Sequence, residues 1–284
     1  MGLNRDFVGR EYTSDIAIGK DDITAYASAI GINSIINNKS PAPHCFSVTY
    51  ELPLIYKVLE DSNLHGGDEE VKKNMLILVH GDQMMKFYNP IYQGNKITCR
   101  AKILDIEDKG SGEVIKINVL SIKEDGKKVV ESHWGLFIRG IGSGKRPKKR
   151  SPKSQFPSDS HKIIFRETIN IPIDITRKYA NASNDMNPIH IDLEIAKRAG
   201  LPGIVVHGMC TMVMTAEGII ASYLNQEQEN LLSLGVRFSA PVFPGDELEI
   251  EGWEIEVHKS IGFQVVRKRD GVRVIKNGIA EVRI

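Results

Sequence analysis

Cysteine is scarce in this chain of 284 residues: only Cys45, Cys99 and Cys210 occur. An odd, scattered set gives neither a disulfide framework nor a Cys-x-x-Cys metal site, so a reducing, cytoplasmic compartment is expected. Long apolar runs are also missing. None approaches the ~20 residues that cross a bilayer, and no membrane partner is expected. The first residues include Asp6 and Glu11 and show no basic-then-apolar leader pattern. Charge of one sign is absent too, because 37 basic and 36 acidic side chains nearly cancel. That balance argues against a polyelectrolyte ligand, and no nucleic-acid partner is expected. With 41% hydrophobic and 26% charged residues the composition is that of a globular protein. The length suits one large domain or two ordinary ones.

What the chain does contain is a repeat. Asp21 and Asp22 precede the apolar-periodic Ile23-Thr24-Ala25-Tyr26-Ala27 and predict a helix start, since carboxylates favour that end. Pro41-Ala42-Pro43-His44 breaks the chain before an apolar run from Phe46 to Leu59 with Pro53 inside it. From Asn74 onward the pattern predicts short strands: Met75 to Gln83, Lys96 to Glu107, Val114 to Lys123 and Val129 to Arg139. Turns are expected at Lys109-Gly110-Ser111-Gly112 and Glu124-Asp125-Gly126-Lys127. The second half echoes this order. Asp174 to Ala180 resembles Asp22 to Ala27, and Phe87 to Gly94 matches Phe238 to Gly245 at a constant offset of 151. Two copies of one unit, each a helix followed by an antiparallel sheet, follow from that match. Pairing two such units closes an open sheet edge within one chain.

Residues 140–160 are rich in Gly, Pro and Ser and hold the basic run Lys145-Arg146-Pro147-Lys148-Lys149-Arg150. No aromatic residue interleaves that run, so it cannot form a stacking groove. A solvated connector is the simple expectation, and phosphate contact with a nucleotide-bearing ligand is the sharper one.

The chemistry-bearing stretch runs from Tyr179 to Asp192: Tyr-Ala-Asn-Ala-Ser-Asn-Asp-Met-Asn-Pro-Ile-His-Ile-Asp. It sets a carboxylate, an amide, a proline and an imidazole within six residues, and the proline pushes Asn187 toward extended backbone. An Asp-x-Asn-Pro turn alone is usually an Asx turn. Spacing with His190, and with Gly208 at the start of an apolar helix, points instead to a site. Residues 183–192 resemble the Ser-Gly-Asp-x-Asn-Pro-x-His-x-Asp motif of the MaoC-like hydratases and dehydratases, with Asn184 where glycine is usual. Asn tolerates left-handed backbone, so the departure is mild.

That resemblance implies an α+β double hotdog, two curved antiparallel sheets each wrapped around a central helix. It divides the chain into a non-catalytic unit over 1–144, a linker over 145–160 and a catalytic unit over 161–284. It implies reversible (3R)-specific hydration of trans-2-enoyl thioesters. Asp185 and His190 would activate water, Asn187 would orient the pair or cap a turn, and the Gly208 N–H would meet the thioester oxygen. His207, Met209 and Arg237 are candidate substrate contacts, with Arg237 as suited to framework as to phosphate. Asp192 is expected to cap or form an ion pair. The first copy has no carboxylate or imidazole where Asp185 and His190 fall. His80-Gly81-Asp82-Gln83 is expected to pack or to shape an acyl tunnel. No metal or cofactor is expected; the partners are acyl-CoA, or an acyl carrier protein thioester, and a second copy in a homodimer. A hotdog thioester hydrolase and a non-catalytic acyl-binding protein stay open as alternatives.

Overall fold

The computed structural model describes residues 2–32, 37, 39–145 and 161–284. The expected linker and its basic run lie, apart from Lys145, outside the described residues.

The first half runs β1 (Glu11–Ala17), α1 (Lys20–Ala29), α2 (Val48–Leu59), α3 (Ser62–His65), α4 (Asp68–Ile77), β2 (Leu78–Phe87), β3 (Lys96–Asp108), β4 (Gly112–Lys123) and β5 (Lys128–Arg139). The second runs β6 (Phe165–Asn170), α5 (Ile175–Ser183), α6 (Leu193–Arg198), α7 (Gly208–Ser222), β7 (Leu231–Phe238), β8 (Glu247–Glu256), β9 (Ser260–Arg267) and β10 (Val272–Val282). Aspartates open α1 as expected, and the Asp22 carboxylate accepts the Gly19 N–H at 3.0 Å. The expected strand at Met75 begins only at Leu78. Asp68, Glu69 and Glu70 fill the first turn of α4, and that helix carries Met75 to Ile77 with it. Among the described residues, no helix is long and apolar enough to cross a membrane.

All strands form one antiparallel sheet in the order β1-β3-β4-β5-β2-β7-β10-β9-β8-β6. Read outward from the β2–β7 seam, the two halves mirror each other. The α2 helix is buried almost all round, which is the mark of a core helix, and α7 buries Met209 to Val213 and Ile219. In the β2–β7 ladder Met84 stands opposite Gly235, its own counterpart at the offset of 151. The local two-fold axis of the duplication therefore passes through that pair. A Cβ on Gly235 would come within 2.6 Å of Met84 Cε and 3.0 Å of Ile279 Cγ2, so one copy supplies the thioether and the other the space for it. The repeat tyrosines meet as well: the hydroxyls of Tyr26 in α1 and Tyr179 in α5 are 3.4 Å apart in the buried core.

Gly235→Val should destabilise the protein by about 1–3 kcal/mol through overpacking. Adding Met84→Ala should recover part of that loss in urea unfolding. Strictly additive losses would show that the seam is not packed this way.

Candidate active site

Asp185 follows α5 by two residues, and its loop is tied to the other half of the chain. Asn184 takes the left-handed conformation (φ 62°) at the end of α5, which asparagine tolerates better than most residues. Its side-chain amide donates to the Thr49 carbonyl at 2.9 Å. Thr49 precedes Pro53 by four residues in α2, and a proline has no N–H with which to close that helical bond. The amide of Asn184 thus satisfies the carbonyl that Pro53 leaves open. Two turns along α2 from Thr49, the Tyr56 hydroxyl donates to Asp185 Oδ1 at 2.7 Å.

Beyond Asp185 a short 3-10 turn, Pro188–His190, is capped by Asn187, whose Oδ1 accepts the Ile189 N–H at 3.3 Å. This turn aims His190 inward. The His190 Nδ1–H donates to the Val205 carbonyl at 2.7 Å, which leaves Nε2 with a free lone pair. His190 stacks on His207, with ring centroids 3.8 Å apart. The His207 Nε2–H donates to the backbone carbonyl of Asp185 at 3.1 Å, and its Nδ1 is buried with no partner. Asp192 caps α6 through the N–H groups of Glu194 and Ile195 at 2.9 and 3.0 Å.

Burial pushes the Asp185 carboxyl up, but attraction to His207 and His190 in their protonated forms, the Tyr56 hydroxyl and the Asn187 N–H outweigh it and hold it below the ordinary carboxylate range. Burial lowers His190 below the usual imidazole value against the pull of Asp185, and takes His207 down to about 3. At neutral pH the site is thus one carboxylate beside two neutral rings. Asp185, His190 and His207 bring one donor atom each within 4.8 Å of one another, a set whose composition would suit a divalent cation. Stacked rings, however, direct their in-plane lone pairs side by side instead of toward one point, so the geometry does not fit a metal centre.

The site opens into a cavity of about 360 Å³ lined by both halves of the chain. Leu52, Ile55, Tyr56 and Leu59 come from α2, Trp134 and Leu136 from β5, and Asp185, Asn187, His190, Gly208 and Met209 from the second half. His80 forms part of the wall, stacked on Trp134 at 4.9 Å and bonded to Gln83 at 3.0 Å. Gly208 is the first residue of α7, where N–H groups have no helical acceptor. A Cβ there would sit 3.2 Å from the Phe238 ring, so glycine permits the close approach.

Two expected contacts are not brought to the cavity. His207 lies behind His190, fully buried, instead of on the ligand side. Arg237 is exposed in β7 beside cavity-lining Phe238, because neighbouring strand residues face opposite ways. Tyr56 is the residue missed. Its sequence signal is a hydroxyl at helical spacing from Leu52 and Leu59, no different in kind from those of Thr49 and Tyr50.

Residues 158–277 match the MaoC like domain, and residues 17–140 match the MFE-2 hydratase 2 N-terminal domain. The probable enoyl-CoA hydratase 2 of Dictyostelium discoideum is 30% identical over 229 residues, covering 75% of this chain and 73% of that protein. The chain belongs to the MaoC-like hydratase 2 family. The peroxisomal multifunctional enzyme type 2 of Mus musculus is 29% identical over 79% of this chain but only 31% of its own length. A MaoC-like dehydratase from Phytophthora capsici superposes with a TM-score of 0.78 at 23% identity, over 99% of this chain and 98% of that one. The double hotdog fold is thereby established for this hydratase 2 family member.

Buried neutral histidines make the fold sensitive to acid. Burial lowers His44 and His80 to about 4 and His207 to about 3. Their folded-state values lie below the unfolded one, so below about pH 6.5 the unfolded chain binds more protons and stability falls with pH. Each ring should cost roughly 1 kcal/mol at pH 5.5. Urea midpoints at pH 7.5 and 5.5 measure this, and equal midpoints would contradict it.

Proposed function

We propose that this protein is a reversible (3R)-specific hydratase of trans-2-enoyl thioesters, acting equally as a dehydratase of (3R)-hydroxyacyl thioesters. The observation that carries the reading is the pairing of an ionised carboxylate, Asp185, with a neutral imidazole, His190, whose Nε2 is unprotonated, at one cavity. Two acceptors side by side hold a water by both of its hydrogens and leave an oxygen lone pair for Cβ of the substrate.

In hydration, that lone pair forms the O–Cβ bond and the alkene π pair moves toward Cα. Negative charge collects on the thioester oxygen, and the water proton passes to the Asp185–His190 pair. The Gly208 N–H, which has no helical acceptor at the start of α7, meets that oxygen. The pair then returns a proton to Cα, and the carbonyl re-forms. The α,β-unsaturated thioester is already polarised, so the reaction needs neither metal nor cofactor. Asn187 holds the turn between the two acting residues, and Met209 belongs to the cavity wall.

Leu52, Ile55 and Leu59 of the first half give the cavity an apolar wall suited to an acyl chain. The first half therefore serves as wall and support, with one reacting centre per chain. The name of the Dictyostelium relative supports CoA as the carrier ahead of acyl carrier protein. Homodimerisation of the fused chains belongs to the same proposal. So does a cytoplasmic setting, which the three free cysteines support although the mouse relative is named peroxisomal.

Asp185→Asn should lower hydration of crotonyl-CoA by about 10²-fold or more while acyl-CoA binding persists. Unchanged hydration would refute the assignment. Wild-type activity requires ionised Asp185 and neutral His190, and both values are lowered, so the rate should hold as pH falls past 6.5 and drop only below it. A profile that already falls between pH 7.5 and 6.5 would contradict these protonation states.

A further inference from the structure

The α2 helix belongs to the half of the chain without an acid–imidazole pair, yet it grips the reacting loop of the other half at two points. One is the Asn184 amide on the Thr49 carbonyl, and the other is the Tyr56 hydroxyl on the Asp185 carboxylate. The second contact touches the group that handles the proton. Tyr56 occupies Oδ1 at 2.7 Å, and the Asn187 N–H reaches the same oxygen at 3.3 Å. Among the described residues no donor reaches Oδ2. One carboxylate oxygen is committed twice, and the other keeps its lone pairs.

We propose that Tyr56 is a positioning residue supplied across the two units: by holding Oδ1 it fixes the Asp185 carboxylate so that Oδ2 is the oxygen presented to the reacting water. This rests on the hydratase reading above and adds the device that orients its base. A carboxylate on a short side chain can turn about its terminal bond, and that torsion is broad. A single backbone donor at 3.3 Å does little to stop it, whereas a hydroxyl at 2.7 Å to a charged oxygen is a strong, directed bond. The phenol is always available as the donor. Burial first, and then the charge of Asp185, push Tyr56 well above the usual phenol value, so it stays protonated throughout the working pH range.

The same bond stabilises the charged form of Asp185 and so helps to keep it ionised. Other groups acting on this carboxylate are His190 from the 3-10 turn, His207 ahead of α7 and His80 from β2. Arg139 of β5 lines the same cavity, but its guanidinium is engaged with the carbonyls of Ile77 and Ala199 at 3.3 and 2.9 Å. Tyr56 is the uncharged side-chain donor on the carboxylate, beside the longer Asn187 N–H, so its removal has a distinct signature. Protonation of Asp185 becomes easier, and the inflection that Asp185 contributes to the acid limb of the rate profile moves to higher pH.

The test uses the full chain with crotonyl-CoA, comparing wild type with Tyr56→Phe over the pH range. The expected result is a loss in kcat of about tenfold, the scale of one hydrogen bond to a charged group, with KM within about twofold of wild type. The acid limb should move upward. A second protein with 3-fluorotyrosine at position 56 keeps the ring and strengthens the donor, and its acid limb should move downward. Active wild type with a Tyr56→Phe protein of equal kcat and equal pH profile would overturn the proposal. So would a loss confined to KM, or a fluorotyrosine protein whose limb does not move. If wild type itself fails to hydrate crotonyl-CoA, the hydratase reading fails, and the positioning role fails with it.

Discussion

The antiparallel ladder between β2 and β7 is the contact on which the other arrangements rest. It joins two five-stranded halves into one sheet and places Met84 against Gly235 on the local two-fold axis. Neither half hides its inner edge alone, and an open strand edge invites unwanted pairing. Joining the edges within one chain removes that hazard and fixes how the two core helices stand relative to each other. The reach of α2 over the loop after α5 follows from that placement.

Duplication then allowed the copies to diverge. In the second half the segment between α5 and α7 carries Asp185, Asn187 and His190, while its first-half counterpart carries no such set. The first half instead supplies the wall from Leu52 to Leu59 and two side-chain-mediated ties to the loop. Pro53 and Asn184 make sense only together. The proline opens a carbonyl in α2, and the asparagine, in a backbone conformation usually given to glycine, fills it from the other unit. The departure from the family motif at position 184 is thus matched by a residue 131 positions earlier.

Local features were legible in the sequence. The octet at offset 151 marks the ends of β2 and β7 with the turns that follow, so the duplication shows in the letters alone. Asp185, Asn187 and His190 sit within six residues, and a proline dictates the bend between them. Features that depend on tertiary approach were not legible. Tyr56 is one more residue of an apolar helix until α2 is laid against Asp185. His207 neighbours Gly208 in sequence, but the helix start turns its ring behind His190. Arg237 neighbours Phe238, and strand alternation sends it outward. The segment from Met75 to Ile77 is apolar enough for a strand, yet the acids seven residues earlier had already begun a helix.

In the proposed reaction an ionised Asp185 and a neutral His190 deliver water to Cβ of an enoyl thioester bound between the two halves. Incubation of the unmodified chain with crotonyl-CoA tests this directly when the product is identified and its configuration determined. The expected product is (3R)-3-hydroxybutyryl-CoA, with no free CoA. Formation of the (3S) product, or release of free CoA without any hydroxyacyl thioester, would contradict it.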